Sequence, residues 1–495
     1  MAANAKGTTT GQQDPGERTP EEITALLAGA ADPEQRLAVH QELYPDVVNL
    51  ATAENVLVYP SLRDNVFERL GVLEQKDVKY APSYGSSEIR EGIADMLRPM
   101  FSADLRSEDV FGTSGVSAAL ECLAFALKEG GILESGDRVL LPAPYWQGFN
   151  WCFEQRPELI TVPVHLREKG PENFDLTLAD LRHAYRTQPE PPKLLVLTHP
   201  NNPLGDNYSK DLLESIYRWV LTETGMHIVS DEMYAHSQLT GAGPEFVSAL
   251  ALDAYRDHPE ARDRVHVVWG FAKDFGLSGL KAGVVISKSP VVHVAMQGIK
   301  DKQNSYAWFS PFDSLKHRVI GAMLKTVVDG KSYPLELMRQ YRGWLTTAFE
   351  DTRRALTDGH IPYRYREGQN AAQFFWLDLR AYLPPAGTAV IPPEIGPHFP
   401  QLDRVPEPFA AEAEKNEKKG TVALPILFPG ISSEEEWLRW YIATYAQVQL
   451  LPGQLLSCAE AGYFRLCYTA VDTSEVIASV RRVADLLAPW RNGRR

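Results

Sequence analysis

Six β-prone runs separated by helical stretches dominate the chain between about residues 105 and 290. The runs are DRVLLP, LITVPVHL, KLLVLTHP, MHIVSDEMY, RVHVVWGF and KAGVVIS. Between them lie helical patterns such as SAALECLAFALKEG and SKDLLESIYRWVLTETG, the second with Ser209 placed to cap it and Gly225 placed to end it. Strands that alternate with helices favour a mostly parallel sheet covered by helices, so the sequence predicts an α/β fold.

Short polar turns follow three of these runs: HPNNPLG, DEMY and GFAKDFG. In open α/β sheets, ligands bind in the crevice outside the carboxyl ends of the strands, which is where these turns would lie. We therefore expect the functional site at that edge of the sheet.

The composition narrows the class of ligand. The formal net charge of −14 argues against a nucleic-acid or anionic-membrane partner and favours a small molecule. The four cysteines show no metal-ligand spacing, so we expect reduced, packing cysteines and no metal site. The amino-terminal region has no signal-peptide core and no window is apolar enough for a membrane span, so we interpret the protein as cytoplasmic.

A length of 495 residues usually means two or more domains. The predicted parts are a disordered tail at residues 1–20, a large cofactor-binding domain at 51–330, and a small α+β domain made of 21–50 and 331–495. A long helical region from about 312 to 359 is expected to lead into the small domain. The Pro-rich and charged stretch 384–435 lacks a core pattern and is interpreted as a solvated insertion or lid.

Lys273 follows the run RVHVVWG, so the end of a strand would carry its amine to the sheet edge. A partly desolvated lysine can form a Schiff base with a carbonyl cofactor, and pyridoxal 5′-phosphate (PLP) also needs an acid against its ring nitrogen. Asp231, at the end of MHIVSD, fits that second part. Asn202 and Tyr234 are placed to hydrogen-bond the phenolate oxygen of the ring.

The stretch GTSGVSAALE, residues 112–121, places small residues at a turn that enters a helix. Backbone amides at a helix N-terminus bind phosphate, here those near Val116 and Ser117, and the hydroxyl of Ser117 can contribute. The sequence therefore predicts a phosphate site beside the predicted lysine and aspartate.

These motifs, in this order, resemble those of the fold-type I PLP enzymes of the class I and II aminotransferase superfamily, and among them the 1-aminocyclopropane-1-carboxylate (ACC) synthases. The resemblance runs from about residue 45 to 485 and implies a large domain with a mostly parallel sheet, a smaller α+β domain, PLP and a homodimer. Its landmarks are LATAENVLVY, YGSSEIREGIA, LPAPYWQGFNW, THPNNPLG, VSDEMYA, AKDFGLSGLKAG and LLPGQLLSCAEAGYFRLCYT.

For the cofactor, the resemblance implies that Lys273 carries PLP and moves the Cα proton. Asp231 would pair with the pyridinium nitrogen, while Asn202 and Tyr234 hold the phenolate oxygen. Trp146 would stack on the ring.

For the substrate and the dimer, the resemblance implies that Arg465 binds the α-carboxylate through a bidentate pair. Glu54, in the AEN landmark, would handle the methionine portion of the substrate. Tyr80, or less favourably Tyr84, would reach the phosphate across a dimer interface.

Two positions depart from the family pattern. Where the family has a serine three residues before the lysine and an arginine eight residues after it, this chain has Gly270 and Lys281. Lysine keeps the charge but lacks the planar fork of arginine, so we expect altered phosphate binding at Lys281.

Several functions remain open. The resemblance favours S-adenosylmethionine as substrate, with a Cα carbanion that either closes a cyclopropane or leads to γ-elimination and Cγ-substitution by a second small-molecule acceptor. The alternative enzyme is an ordinary amino acid aminotransferase, and the alternative of another class is an aminotransferase-like regulatory or binding protein.

The individual residues also have ordinary structural interpretations. Asp231 and Asn202 can be turn-forming residues that bond their own backbone. Trp146 can belong to the core, Arg465 can form a structural ion pair, and Ser117 can be a helix cap.

Overall fold

The computed structural model describes residues 47–165, 174–241, 243–298, 305–364, 371–383 and 432–493. The predicted tail at residues 1–20 lies outside this part of the chain, as do residues 21–46 of the predicted small domain and 384–431 of the predicted insertion.

The helices, in chain order, are α1 (Tyr59–Asn65), α2 (Ser87–Phe101), α3 (Val116–Glu129), α4 (Gly148–Glu154), α5 (Leu178–Thr187), α6 (Lys210–Glu223), α7 (Asp253–Asp257), α8 (Pro290–Gln297), α9 (Tyr306–Phe309), α10 (Ser314–Lys325), α11 (Tyr333–Asp358), α12 (Ser433–Tyr445) and α13 (Thr473–Gly493). None of the described helices combines the length and the apolar character that crossing a membrane requires.

The strands are β1 (Val48–Asn49), β2 (Val110–Thr113), β3 (Arg138–Pro142), β4 (Ile160–Val164), β5 (Leu194–Thr198), β6 (His227–Asp231), β7 (Val265–Gly270), β8 (Gly283–Ser287), β9 (Val327–Val328), β10 (Lys331–Ser332), β11 (Tyr363–Arg364), β12 (Phe374–Asp378), β13 (Val448–Gln449), β14 (Leu451–Pro452) and β15 (Tyr463–Cys467).

The main sheet has seven strands in the order β2-β8-β7-β6-β5-β3-β4. All neighbours from β7 to β4 run parallel, whereas β8 runs antiparallel to both β7 and β2. Strands β5, β6 and β7 are buried along their whole length, which explains why their sequences are mostly apolar and lack the apolar–polar alternation of half-exposed strands. The predicted α/β fold with a mostly parallel sheet is confirmed.

The carboxyl edge of this sheet collects the polar turns. Asp231 ends β6 beside Thr198, the last residue of β5, and Gly270 ends β7. The backbone N–H of His199 donates to the carbonyl of Asp231 at 2.9 Å, which fixes the first turn against the second. The loops with Asn202, Asp231 and Lys273 therefore leave the sheet at one edge.

Helix α6 illustrates how local sequence sets the covering layer. The Ser209 hydroxyl accepts from the backbone N–H of Leu212 at 3.3 Å and caps the helix, as predicted. The helix ends at Glu223 with Thr224 as its C-cap, one residue before the predicted Gly225.

The region predicted as one long helical stretch, 312–359, consists of two helices, α10 and α11, with the short hairpin β9–β10 between them. Asp329 and Gly330, with φ of 50° and 74°, form its turn. An Asp-Gly pair accommodates two successive left-handed residues, which breaks the helix here.

A second, antiparallel sheet has the order β11-β12-β15-β14. The segment around residues 50–56 is hydrogen-bonded to this second sheet. The backbone N–H of Cys467 donates to the carbonyl of Leu50, and the backbone N–H of Val56 donates to the carbonyl of Thr469. Arg465 pairs with Trp376 across the sheet, so both side chains lie on one face. Since Arg465 reaches the turn after β5, this face covers the carboxyl edge of the main sheet.

Candidate active site

Lys273 lies in the loop after β7, where its half-buried amine donates to the backbone carbonyl of Ala53. Burial lowers the pKa of the amine, and the nearby charges of Glu54 and Cys467 oppose this effect. A lysine that is partly desolvated in this way is more often neutral and nucleophilic than a surface lysine. The environment therefore suits a lysine that bonds a carbonyl compound.

Asp231 is a buried carboxyl at the end of β6. Its oxygens accept from the backbone N–H of Met233 at 3.3 Å and, over a long 3.4 Å, from the hydroxyl of Thr198. Burial raises the pKa of Asp231 to about 7. No lysine or arginine among the described residues forms an ion pair with it. A protonated ring nitrogen would supply the missing cation, so this carboxyl fits the expected cofactor.

Arg465 is buried with no acid against it in the described part of the chain. Its Nη1 donates to Oδ1 of Asn202 at 2.7 Å and its Nη2 to the carbonyl of Ala51 at 2.6 Å, while Nε has no acceptor. The guanidinium lies over the ring of Phe374 at 4.4 Å. Burial lowers the pKa of this arginine. The interpretation as a structural ion pair is therefore wrong for the described residues, and an unpaired buried cation suits a carboxylate ligand.

Tyr234 completes this group. Its buried ring meets the edge of Phe374 at 5.2 Å and an interplanar angle of 74°, on the ring that also carries Arg465. Burial raises the pKa of the Tyr234 phenol well above its ordinary value, so it stays protonated and able to donate. The structure thus brings Asn202, Tyr234 and Arg465 together, and their roles toward a ligand stay predictions.

The N-terminus of α3 forms the candidate phosphate site. Its N-cap is Gly115, in a conformation with φ of 89° that side chains rarely adopt, and no side chain caps the helix. The first amides of a helix have no partner within it, so those of Val116 and Ser117 are placed for an anion. Because Gly115 occupies the cap, the interpretation of Ser117 as the helix cap is wrong.

Lys281 lies beside this helix start. A Cβ on Gly115 would stand 3.6 Å from Cα of Lys281, and Lys281 itself adopts a left-handed φ of 50° with an exposed side chain. A flexible, solvated ammonium next to a helix N-terminus can meet a phosphate as a point charge. Its place therefore suits the predicted role in phosphate binding.

Gly270 packs too tightly for the serine that the family pattern has there. A Cβ at this position would lie 2.8 Å from the carbonyl oxygen of Ala282 and 3.2 Å from Cγ2 of Val116. The first distance is shorter than real Cβ contacts and involves backbone, which cannot easily move. The carbonyl of Ala282 and the side chain of Val116, at the start of α3, thus occupy the space that a larger residue at position 270 would need.

Trp146 packs against its own helix region. Its ring meets Phe149 at 5.5 Å and 76° and Trp151 at 6.4 Å and 71°, and it fills the space where a Cβ of Gly148 would lie. These contacts belong to the turn before α4, and stacking of Trp146 on a ligand stays a prediction.

The two candidate tyrosines differ sharply. Tyr80 is 96% exposed, stacks on Trp308 at 6.1 Å and 29°, and lies at a cavity of about 430 Å³. Tyr84 packs on Phe111 at 6.3 Å beneath the guanidinium of Arg90. Because Tyr84 is engaged within its own chain, Tyr80 is the better candidate to reach another subunit.

Glu54 is half-buried next to the lysine loop. Its backbone carbonyl accepts from the Thr469 hydroxyl at 2.6 Å, which fixes the main chain, while its carboxylate has no hydrogen bond or ion pair among the described residues. Its charge raises the pKa of Lys273. A free carboxylate therefore lies at the site, available to a cationic group.

Several polar residues behind Lys273 were not predicted as site residues. They are Asn55, Ser237, Asp274, Tyr341 and Gln373, all buried. Their hydrogen bonds join the lysine loop to the second sheet and to α11. The available signals were weak: Asn55 and Asp274 adjoin recognised residues, and Gln373 is a lone polar residue before the apolar run FFWLD.

Comparison with known proteins adds independent findings. Residues 45–483 match the family model described as aminotransferase class I and II. The chain is 25% identical over 462 residues to 1-aminocyclopropane-1-carboxylate synthase 3 of Oryza sativa subsp. japonica, which covers 90% of this chain and 88% of that protein. It is 30% identical over 299 residues to the probable aminotransferase aclI of Aspergillus oryzae, covering 57% of this chain and 67% of that protein.

Among solved structures, the Thermus thermophilus aspartate aminotransferase double mutant 1 is similar, with a TM-score of 0.62 and 21% identity. The match covers 97% of this chain and 100% of that chain. At this identity the likeness concerns the fold, which has a mostly parallel main sheet and a smaller antiparallel one.

Proposed function

The chain belongs to the aminotransferase class I and II family, whose enzymes use pyridoxal 5′-phosphate, and on this premise we propose that it acts on S-adenosylmethionine and releases methylthioadenosine. The observation that carries the proposal is the carboxylate of Glu54 beside Lys273, at a site that also holds a buried arginine, Arg465, and neither of these two charges has an ion-pair partner among the described residues. Such a pair of unpaired charges suits a substrate that has both a carboxylate and a cationic sulfonium.

In this proposal Arg465 binds the α-carboxylate, and Asn202 keeps its guanidinium in place through Nη1. Glu54 attracts the sulfonium. Lys273 removes the Cα proton and returns it where the reaction requires. Arg465, Glu54 and Lys273 thus act on three different groups of one substrate, so together they fix the orientation of the substrate at the sheet edge.

The cofactor, when bound, supplies an electron sink for the pair that Cα deprotonation leaves. Asp231 then holds the charge on the ring nitrogen, and Tyr234 with Asn202 binds the phenolate oxygen. Lys281 and the amides of Val116 and Ser117 bind the phosphate.

Two outcomes share these residues. In the first, Cα attacks Cγ, methylthioadenosine leaves with the bonding pair of the C–S bond, and ACC forms. In the second, a Cβ proton is lost as well, methylthioadenosine leaves by γ-elimination, an acceptor nucleophile adds at Cγ, and protons return to Cβ and Cα. The relatives named ACC synthase support the first outcome, and the identity of an acceptor in the second stays open.

A homodimer is part of the proposal. Tyr80 and its stacking partner Trp308 are joined on the surface by other exposed apolar side chains, Val78 and Phe309. An apolar surface of this kind marks an interaction site. We propose that a second copy of the chain covers this apolar surface, so that each subunit contributes Tyr80 to the phosphate site of the other. We also propose that Trp146 stacks on the cofactor ring.

The domain boundaries also stay a proposal: a large domain at 51–330, and a small domain formed by 21–50 and 331–495. The bond of Leu50 to the second sheet supports assigning the residues up to 50 to the small domain, whereas the bond of Val56, inside the proposed large domain, is a contact between the two domains.

The test is incubation of the PLP-loaded protein with S-adenosylmethionine in deuterated water, with product analysis by mass spectrometry and Lys273→Ala as control. We expect methylthioadenosine from the wild-type protein alone. ACC without deuterium at Cβ indicates direct ring closure, whereas deuterium at Cβ indicates γ-elimination. Absence of methylthioadenosine would refute the proposed substrate.

An ordinary aminotransferase is the second candidate, because Lys273, Asp231 and Arg465 serve that reaction equally and a probable aminotransferase is 30% identical over 299 residues. An amino acid alone would then convert the cofactor to its amine form and release a keto acid. A regulatory or binding protein is the third, and it is favoured only if borohydride fails to reduce PLP onto Lys273.

A further inference from the structure

The backbone carbonyl of Lys273 accepts two side-chain amides at once. Nδ2 of Asn55 donates at 2.9 Å and Nε2 of Gln373 at 3.0 Å. The backbone N–H of Gly276 also donates to this oxygen, over a longer 3.2 Å, so the carbonyl is shared by three donors, of which the two side-chain amides are the closest. Buried hydrogen bonds of this kind fix the main chain of the residue that carries the candidate reactive amine.

Both amides come from the side of the second sheet. Gln373 immediately precedes β12, and its own carbonyl accepts from the backbone N–H of Tyr468 at 3.1 Å. Asn55 lies in the segment that Val56 and Thr469 bond to the same sheet. Lys273, in contrast, follows β7 of the main sheet. The two amides therefore connect the lysine to the sheet that carries Arg465.

Gln373 is oriented by further contacts. Its Nε2 lies 2.9 Å from the hydroxyl of Tyr341 and 3.2 Å from that of Ser237, and its Oε1 has no partner among the described residues. The opposite amide orientation would set an oxygen against the carbonyl of Lys273, so the donor must face the lysine. The two N–H donors of this amide are thus shared among three nearby oxygens, which leaves the group little freedom to turn.

Asp274 anchors the other side of this group. Its carboxyl accepts from the Ser237 hydroxyl at 2.8 Å, from the backbone N–H of His236 at 3.1 Å and from Nε1 of Trp269 at 3.3 Å. Asn55 donates to its backbone carbonyl as well, at 3.3 Å. The residue after the lysine is therefore held as firmly as the lysine.

We propose that Asn55 and Gln373 are positioning residues that together form an amide clamp on Lys273, so that the second sheet sets the orientation of the lysine amine. This inference rests on the proposed cofactor chemistry but concerns the chain's own residues. Neither amide touches the amine itself, and both act through the main chain.

The orientation of the amine decides which charges it meets. Glu54 and Cys467 favour its protonated form, while Arg465 and Lys281 oppose it. Glu54, Cys467 and Arg465 lie on the segments that the clamp connects, and Lys281 lies beyond the lysine loop. A lysine released from the clamp would sample other distances to these groups, which changes the proton affinity of its nitrogen.

The experiment compares Gln373→Met, Asn55→Ala and the control Gln340→Met, which removes an exposed amide on α11 that donates to Glu336. For each loaded protein we would titrate the visible absorbance of the cofactor with pH and measure the melting temperature. The two clamp variants should shift the titration midpoint by about 0.5 pH unit or more, and the control should not. A role in stability alone would lower the melting temperature without moving the midpoint.

Two failures are distinguishable. Borohydride reduction followed by mass analysis first tests whether wild-type Lys273 carries PLP, and its absence overturns the proposed function and the clamp's role with it. A wild-type adduct combined with an unchanged midpoint in both folded variants overturns only the clamp. If Gln373→Met fails to fold, Asn55→Ala decides alone.

Discussion

The two edges of the main sheet differ in whether their buried polar groups find partners within the described chain. At the amino edge, Nδ1 of His227 lies 3.0 Å from Nε2 of His266, whose Nδ1 lies 2.8 Å from the hydroxyl of Ser287. There, the imidazole rings of His227 and His266 both have a hydrogen-bond partner in the same chain. At the carboxyl edge, Asp231 has no cation and Arg465 has no anion among the described residues. The difference separates polar groups that have partners within the described chain from charged groups that have no opposite charge there.

The largest expected effect is that of Lys273→Ala. Without the amine, borohydride should leave no PLP on the protein, and methylthioadenosine release should fall at least about 1000-fold because the base is gone. Intact-mass and product analysis measure both. Lys210→Ala, at an exposed lysine paired with Asp253, is the control that should behave as wild type. Retained turnover in Lys273→Ala would mean that another residue is the base.

The next largest effect is expected for Arg465→Met, which is compared with a variant of a buried arginine that has an acid partner. Arg465→Met should lower kcat/KM at least about 100-fold, since the carboxylate loses a bidentate partner. Its free energy of unfolding should change by no more than about 2 kcal/mol, because relief of an unpaired buried charge offsets two lost hydrogen bonds.

Arg439→Met is the matched variant. It leaves Glu436, which accepts from Arg439 at 2.8 Å, as a buried acid without this partner, so unfolding free energy should fall by about 3–5 kcal/mol with little change in kcat/KM. Chemical denaturation and steady-state kinetics give both quantities. Equal stability losses in the two variants would erase the proposed distinction.

The amino edge predicts a pH dependence of stability. Burial lowers the pKa of His227 to about 4 and that of His266 well below its usual value, so the unfolded chain binds more protons than the folded one between pH 6.5 and 4. The contribution of these two histidines to stability is therefore full above pH 6.5 and declines as the pH falls, by roughly 1 kcal/mol per unit for each histidine.

Urea unfolding at pH 7.5 and 5.0 measures this decline. His227→Gln should reduce the slope, while His183→Gln, at an exposed position on α5, should leave it unchanged. An unaltered slope in His227→Gln would show that other groups titrate.

The smallest effect is expected for Gly270→Ser, which restores the residue of the family pattern. Because its Cβ would meet the carbonyl of Ala282, PLP affinity should stay the same or weaken a few-fold instead of improving. Equilibrium dialysis against PLP measures it, with Lys281→Arg as the companion change. Tighter binding by Gly270→Ser would mean that the helix start can move to admit a hydroxyl.

The sheet was predictable because burial on both faces forces continuous apolar runs, and the strand ends were predictable from their polar turns. Lys273 and Asp231 were found because strand ends place them. The break at Asp329 and Gly330 was missed, since two turn residues carry little weight inside the long helical pattern of residues 312–359.

The amide clamp was beyond prediction for a different reason. Asn55 and Gln373 contact Lys273 across separations of 218 and 100 residues, and neither carries a local pattern that points to the lysine. The pairing of Arg465 with Asn202, 263 residues away, is equally invisible until the two sheets are packed together. Sequence motifs indicate the candidate reactive residues, whereas tertiary packing decides which other residues hydrogen-bond to them and fix their positions.

The location of Arg465 on β15 has an evolutionary consequence. That strand is hydrogen-bonded on both sides, by β12 and β14, so its position cannot drift without disturbing the whole second sheet. Glu54 lies on a loop instead. If Arg465 binds the carboxylate and Glu54 the cationic group, as proposed, the group that every α-amino acid shares meets a rigid strand, while the group that differs among amino acids meets a loop. Changes of substrate are then expected to arise at the side chain of residue 54, with β15 and the hydrogen-bonded main chain around residue 54 left as they are.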